Sequence, residues 1–357
     1  LKSFRLPSTK NGILNYKEKN NVIVYMKGAT VIMGGLVKPI VRARILAADP
    51  IDVVCGQVLS ARGYDLISMS KTPKPADLIK EIHAYDGLIV RSGTTVTPDI
   101  FAAASRLRIV GRAGVGIDNV DVAEATRRGI MVMNVPDGNT RSTAELTLSL
   151  IMALARNIPA AAQSMKAGKW ERSKFMGAEL AGKVIGVIGT GRIGSTVAKW
   201  CNMLGMTVIA YDPSISAELI QVGIESVSLD DIFKRSDFIT VHTPKTKQTT
   251  NLICTETLKK CKKGVRIINV ARGGIVHEVD LLIALNAGHV AGAALDVFTK
   301  EPPPPELASL CNHPAVICTP HLGASTTEAQ INVARDIAIQ MADALEGKAY
   351  VGVVNKS

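Results

Sequence analysis

The 357-residue chain predicts an α/β protein with two doubly wound parallel sheets, the first domain being discontinuous in sequence. Three observations predict it. From Ile45 onward, short apolar runs alternate with amphipathic ones, and a second such series starts at Val184. That second series opens on Gly189-Thr190-Gly191-Arg192-Ile193-Gly194, with Asp212 eighteen residues further on. No tandem repeat of sequence links the two series, so what recurs is architecture.

In the first series Arg44–Ala48, Tyr64–Ile67, Gly87–Val90, Ile109–Gly111 and Ile130–Asn134 read as strands. Asp99–Ser105 and Val120–Arg128 read as helices between them. Asn139 to Arg156 follows as one long helix, with Leu146, Leu150, Ala153 and Leu154 on a 3.6-residue period. The second series comprises Val184–Ile188, Thr207–Tyr211, Phe238–His242, Arg266–Val270, Ala291–Leu295 and Ala315–Cys318. A last long helix, Thr326 to Leu345, has no strand after it and is expected to return to the first domain. The expected division is 44–138 with 322–357 as a substrate domain, and 139–321 as a Rossmann-like dinucleotide-binding domain.

The net charge of +11 is uneven. Residues 1–44 hold nine Lys or Arg against the single acid Glu18, leaving about +3 for the remainder. The basic total is therefore poor support for a nucleic-acid partner, and none is expected. Residues 1–43 show no sustained period and are expected to be a disordered basic extension. The apolar run Val22 to Val37 is broken by Lys27 and three glycines, so no membrane partner is expected. Six cysteines without CxxC spacing point to free thiols in a reducing, cytoplasmic setting. No HExxH or clustered His/Cys/Asp set is apparent along the chain, so no metal is expected.

Each residue of the glycine motif has a separate task. Gly189, Gly191 and Gly194 permit a tight turn, close approach of a pyrophosphate, and close packing of helix on strand. The helix opening near Arg192 offers unpaired N–H groups to phosphates. Asp212, ending the next strand, can accept hydrogen bonds from the adenosine ribose. A 2′-phosphate about 5 Å from it would be repelled by roughly 3 kcal/mol per unit charge at an effective dielectric of ~20. NAD is therefore expected over NADP.

Hydride transfer involving a 2-hydroxy acid also needs a cation for the carboxylate and a proton donor tuned near neutral pH. In doubly wound folds such groups lie at the carboxyl ends of strands. Arg272 meets this in Asn269-Val270-Ala271-Arg272-Gly273-Gly274, as does His321, which precedes Gly323-Ala324 at a helix entry. His242 also ends a strand and is the rival acid/base. Glu301, just beyond another strand, would raise the pKa of an imidazole it touched. Asp296 is placed to accept from a cofactor amide, and Arg91 and Ser92 to meet an anionic substrate.

The Gly-x-Gly-Arg-Ile-Gly, Arg272-Gly273-Gly274, Glu301 before its prolines and Pro320-His-Leu-Gly-Ala324 together resemble the D-isomer-specific 2-hydroxyacid dehydrogenase family. The likeness runs from about residue 44 to 350. It implies Arg272 as carboxylate and carbonyl ligand, His321 as acid/base and Glu301 as its partner. It further implies cofactor contacts from Arg192, Ile193, Thr243, Val270, Asp296 and Val115, the last where some members carry threonine. Ala271, Gly323 and Ala324 lie within its cofactor-side motifs. Arg91, Ser92 and Asn139 match its substrate side. The stretches Gly87–Ser92, Val110–Val120 and Met165–Gly177 imply oxidation of 3-phospho-D-glycerate. A glyoxylate or hydroxypyruvate reductase and a dinucleotide-sensing corepressor stay open beside it. Without the serine-binding domains of some members, feedback by serine is not expected. The helix from Asn139, the arm around Trp170 and the resemblance together imply a homodimer.

Overall fold

The structure is a computed structural model that describes residues 43–355, together with the backbone of three earlier strands. Those are β1 (Leu14–Glu18), β2 (Asn21–Met26) and β3 (Ala29–Met33), paired as an antiparallel sheet in that order. Disorder was the expectation for residues 1–43, yet Val22, Ile23 and Val24 stand opposite Met33, Ile32 and Val31 in register. The rest of that stretch lies outside the described residues.

The chain divides into two compact units, Leu1–Asn139 with Thr326–Ser357, and Thr140–Ser325. The first contains β4 (Arg44–Ala47), α1 (Val53–Ala61), β5 (Asp65–Ser68), α2 (Pro75–Glu81), β6 (Gly87–Val90), α3 (Pro98–Ala103), β7 (Ile109–Arg112), α4 (Val122–Arg127) and β8 (Met131–Asn134). Its strands are parallel, in the order β5-β4-β6-β7-β8. Ile45, Leu46, Leu88, Val90, Ile109 and Val110 are fully buried, as strands covered on both faces require. Asp52 accepts from Val54 N–H at 3.0 Å and Asp121 from Glu124 N–H at 2.9 Å, which fixes where α1 and α4 begin.

The second unit contains α5 (Thr140–Ala155), α6 (Ile158–Lys166), β9 (Val184–Ile188), α7 (Arg192–Met203), β10 (Thr207–Tyr211), α8 (Ala217–Gln221), β11 (Glu225–Ser226), α9 (Leu229–Arg235), β12 (Phe238–Val241), α10 (Thr255–Leu258), β13 (Val265–Asn269), α11 (Glu278–Asn286), β14 (Val290–Leu295), α12 (Ala308–Cys311) and β15 (Val316–Cys318). The sheet is parallel throughout, in the order β11-β10-β9-β12-β13-β14-β15. Helix α5 packs on this sheet: Leu150, Ile151 and Leu154 share a core with Ile185, Val187 and Ile268.

Helix α13 (Thr327–Leu345), capped by Thr326, makes the first unit discontinuous. Val333, Ile337 and Met341 pack among Ile45, Ile89, Ile109 and Met133. Arg62, at the end of α1, clasps Glu346 with Nε at 2.8 Å and Nη2 at 2.6 Å, and reaches Asp343 at 2.8 Å. The return to this unit comes at Thr326 and not at residue 322. Leu322 and Gly323 N–H donate to the Asp296 carboxylate and Thr143 Oγ1 to Gly323 O, which ties them to the second unit. The segment after α13 runs along the outer edge of β8, Asn134 N–H donating to Gly352 O and Val354 N–H to Val132 O.

Candidate active site

Strand order in the second unit reverses at β9, which has β10 on one side and β12 on the other. Loops leaving the carboxyl ends of such strands frame a crevice. Gly189 turns there at φ +91°, and a Cβ on it would fall 2.7 Å from His242 O. A Cβ on Gly194 would overlap Gly189 O, so α7 can pack this close only with glycine at that position. Gly191 differs: a Cβ there would meet nothing within 4 Å. As N-cap of α7 it supplies no side-chain oxygen to the first turn, and the N–H groups at such a helix start suit an anion.

Arg192 is exposed beside this turn, and Ile193 packs partly into the core. Asp212 Oδ2 accepts from Thr190 N–H at 2.6 Å and its Oδ1 from Ser214 N–H at 2.8 Å. That fixes the carboxylate at the end of β10. The hydroxyls of Thr190 and Thr243 are buried without a hydrogen-bond partner. An open cradle, a helix N-terminus, a fixed carboxylate and two unmatched hydroxyls fit the phosphates and ribose of a dinucleotide.

The chemistry-bearing residues follow three adjacent strands, β13, β14 and β15. After β13, Asn269 ties the loop at both ends: Nδ2 donates to Arg272 O at 2.9 Å and Oδ1 accepts from Ala271 N–H at 3.0 Å. Arg272 Nη1 donates to Ala271 O at 2.7 Å. A Cβ on Gly273 would overlap Phe298 O, so this loop and the one after β14 lie in contact. Phe298 N–H donates to Glu301 Oε1 at 3.1 Å, leaving Oε2 at 2.7 Å from His321 Nδ1. Burial pushes Glu301 up, but its bonds to His321 and Phe298 and the nearby charges of His321 and Arg272 outweigh it and hold it below the ordinary carboxylate range. The bond to Glu301 raises the His321 pKa, opposed by burial and by the Arg272 charge.

His321 sits at φ +55°, a conformation few non-glycine residues adopt. Its N–H donates to Asp296 O at 2.9 Å. The Asp296 carboxylate, fully buried, accepts from Thr319 Oγ1 at 2.6 Å, Leu322 N–H at 2.7 Å and Gly323 N–H at 2.9 Å. It was expected to face a cofactor amide; here its oxygens shape the turn that carries the histidine. The Val270 side chain is likewise committed to the core, which leaves its backbone for any ligand. Ala271 and Ala324 are partly exposed, and Gly323 is buried against Thr143. His242 has its pKa pushed down to about 4 by burial and pairs through Nε2 with Thr240 Oγ1 at 2.9 Å.

Arg91, Ser92, Val115 and Asn139 belong to the first unit. Arg91 and Ser92 follow β6, and Val115 follows β7, its carbonyl accepting from Asn134 Nδ2 at 2.6 Å. Sequence reading missed Asp49, at the end of β4. Its buried carboxylate accepts from Arg91 N–H at 2.6 Å, Thr94 N–H at 3.1 Å, Thr94 Oγ1 at 2.9 Å and Thr72 Oγ1 at 2.8 Å. Its place beside the strand-order reversal was the available signal. Spacing also missed a cluster among the described residues: ligand atoms of Cys254, Glu256 and Asp280 lie within 4.8 Å of one another. They come from two helix starts far apart in sequence, so no local motif announces them. Cys254 Sγ donates to Glu256, while Asp280 accepts from Thr255 N–H and pairs with His277.

The family described as D-isomer specific 2-hydroxyacid dehydrogenase, NAD binding domain, matches residues 148–323. The D-3-phosphoglycerate dehydrogenase of Homo sapiens is 51% identical over 313 residues, covering 87% of this chain and 58% of that protein. That of Bacillus subtilis is 50% identical over 281 residues, covering 78% and 53%. The chain thus spans a little over half the length of these curated relatives. Among solved structures, the TT0316 protein of Thermus thermophilus is 31% identical with a TM-score of 0.81, over 87% of this chain and all of that one. Among the described residues no helix is long and apolar enough to cross a membrane.

Proposed function

Because the chain belongs to the D-isomer-specific 2-hydroxyacid dehydrogenase family, we propose that it oxidises 3-phospho-D-glycerate to 3-phosphooxypyruvate, the first step of the phosphorylated route to serine. NAD, when bound, supplies the acceptor for the hydride leaving C2. The observation that carries the reading is the 2.7 Å pair of His321 Nδ1 with Glu301 Oε2, within reach of the Arg272 charge. With Nδ1 taken by Glu301, Nε2 is the nitrogen left to receive the hydroxyl proton. Glu301 then stabilises the imidazolium that results. Arg272 grips the substrate carboxylate in a fork and polarises the oxygen at C2. In the reverse direction the same imidazolium returns the proton.

On the cofactor side, Gly189, Gly191 and Gly194 make room for the pyrophosphate, Arg192 and Ile193 present the opening N–H groups of α7, and Asp212 selects the unphosphorylated ribose. Thr243, Val270, Ala271, Gly323 and Ala324 serve the nicotinamide side, and Asp296 supports it by holding the 319–323 turn. Arg91, Ser92 and Asn139 serve the anionic substrate. Six free cysteines suit the reducing cytoplasm. The working form is a homodimer built through the arm that carries Trp170.

The test compares 3-phosphoglycerate, glycerate, lactate, hydroxypyruvate and glyoxylate with NAD and NADP. The expected result is preference for the phosphorylated substrate with NAD, lost in Arg272→Ala and His321→Ala. A strong preference for unphosphorylated glyoxylate or hydroxypyruvate would reassign the substrate. Feeble turnover with all of them, alongside peptide binding, would point to a corepressor.

A further inference from the structure

Four hydroxyls of the second unit are buried without a partner: Thr140, Thr190, Ser236 and Thr243. Ser236 precedes β12, at the amino end of the strands, and fills the space that the missing Cβ of Gly186 leaves. Thr190 and Thr243 follow β9 and β12 at the opposite, carboxyl end, where the strand order reverses. A buried hydroxyl without a partner is unfavourable in the free protein, and valine would fill the same volume without that penalty. A polar ligand arriving at this end would remove the penalty.

The surroundings of Thr190 say which part of a ligand it meets. Its own N–H is committed to Asp212 Oδ2 at 2.6 Å. The next residue, Gly191, faces open space where α7 begins. Thr190 thereby stands in the chain between a backbone N–H held by a carboxylate suited to a ribose and a helix start whose N–H groups suit a pyrophosphate. We infer that the Thr190 hydroxyl is a dinucleotide-binding group, unsatisfied in the free protein and hydrogen-bonded to the ribose–pyrophosphate part of the adenosine half when the cofactor binds. This rests on the NAD reading above and adds a contact that the glycine pattern does not provide, since the pattern leaves this position unspecified.

The consequence is a pair of effects with opposite signs. Thr190→Val should keep or raise the melting temperature of the free protein, because it deletes an unmatched polar atom. It should also raise the Kd for NAD about tenfold, the value of roughly one hydrogen bond. Thr190→Ser should restore wild-type affinity. Titration calorimetry with NAD and with ADP-ribose, beside thermal melts of the free protein, reads this without any turnover. Equal losses for both ligands support the assignment. Unchanged affinity for ADP-ribose in Thr190→Val overturns it. So does a weaker complex that comes with a lowered melting temperature and no rescue by serine, which would mean a packing role. A wild-type chain that binds neither ligand removes the NAD reading itself.

Discussion

His242 and His321 are the same side chain at the ends of two strands of one sheet, and their surroundings set them apart. His242, pushed down to about 4, is neutral near pH 7 and donates no useful charge. His321 is raised by its bond to Glu301, so it gains a proton more readily than free histidine. Oxidation needs the neutral imidazole as base, so its kcat/KM should climb as pH rises through the raised His321 pKa. Reduction needs the protonated form and should fall over the same interval. Glu301→Gln removes the bond that raises the pKa, so both limbs should move to lower pH; pH–rate profiles in each direction check this. If the limbs stay in place, Glu301 does not set the His321 pKa. Arg272→Lys keeps the charge but loses the planar fork, and should lower kcat/KM about 10- to 100-fold, as for loss of one charge-assisted hydrogen bond. Steady-state kinetics with 3-phosphoglycerate reads it.

At the scale of elements, the β9–α7 turn separates a glycine that serves the fold from one that serves a ligand. Alanine at 194 would drive its Cβ into Gly189 O, whereas alanine at 191 would project into open space. Gly194→Ala should therefore lower the melting temperature and NAD affinity together. Gly191→Ala should leave stability within about 1 kcal/mol, a typical effect at a helix cap, while sharply weakening NAD. Melts and calorimetry on the two variants decide it, and equal destabilisation would refute the distinction. The strands that build this turn were legible because each is a short apolar run between turn residues. Strand β11 was not, since Glu225 and Ser226 are exposed and too few to show a period. The loop residues were legible by type and by position at strand ends. What they touch was not: Glu301 and His321 are twenty residues apart, and only folding could show their 2.7 Å contact. The same limit hid the full use of the Asp296 oxygens and the four donors on Asp49, because a buried carboxylate and a solvated one look alike in sequence.

At the scale of the whole molecule, α6 poses a physical problem that a second copy would resolve. None of its nine residues is buried, and Asn157 before it gives no side-chain cap. A helix that short is marginal in water without tertiary packing. Along it and the segment after it, Ile158, Met165, Trp170 and Met176 are 53%, 54%, 76% and 83% exposed. Large apolar side chains so concentrated on one arm support the proposed dimer, since burying them against a second copy would be favourable. If two copies exchange these arms, each helix gains the packing it lacks, and the interface is the same patch on both subunits. Light scattering should give twice the 37.9 kDa chain mass. Trp170→Asp with Met165→Asp should yield monomers, with the helical signal of α6 weakened in hydrogen exchange and NAD affinity largely kept, since the glycine turn lies outside the arm. A wild-type monomer would sink the dimer. A double variant that stayed dimeric would move the interface elsewhere on the surface.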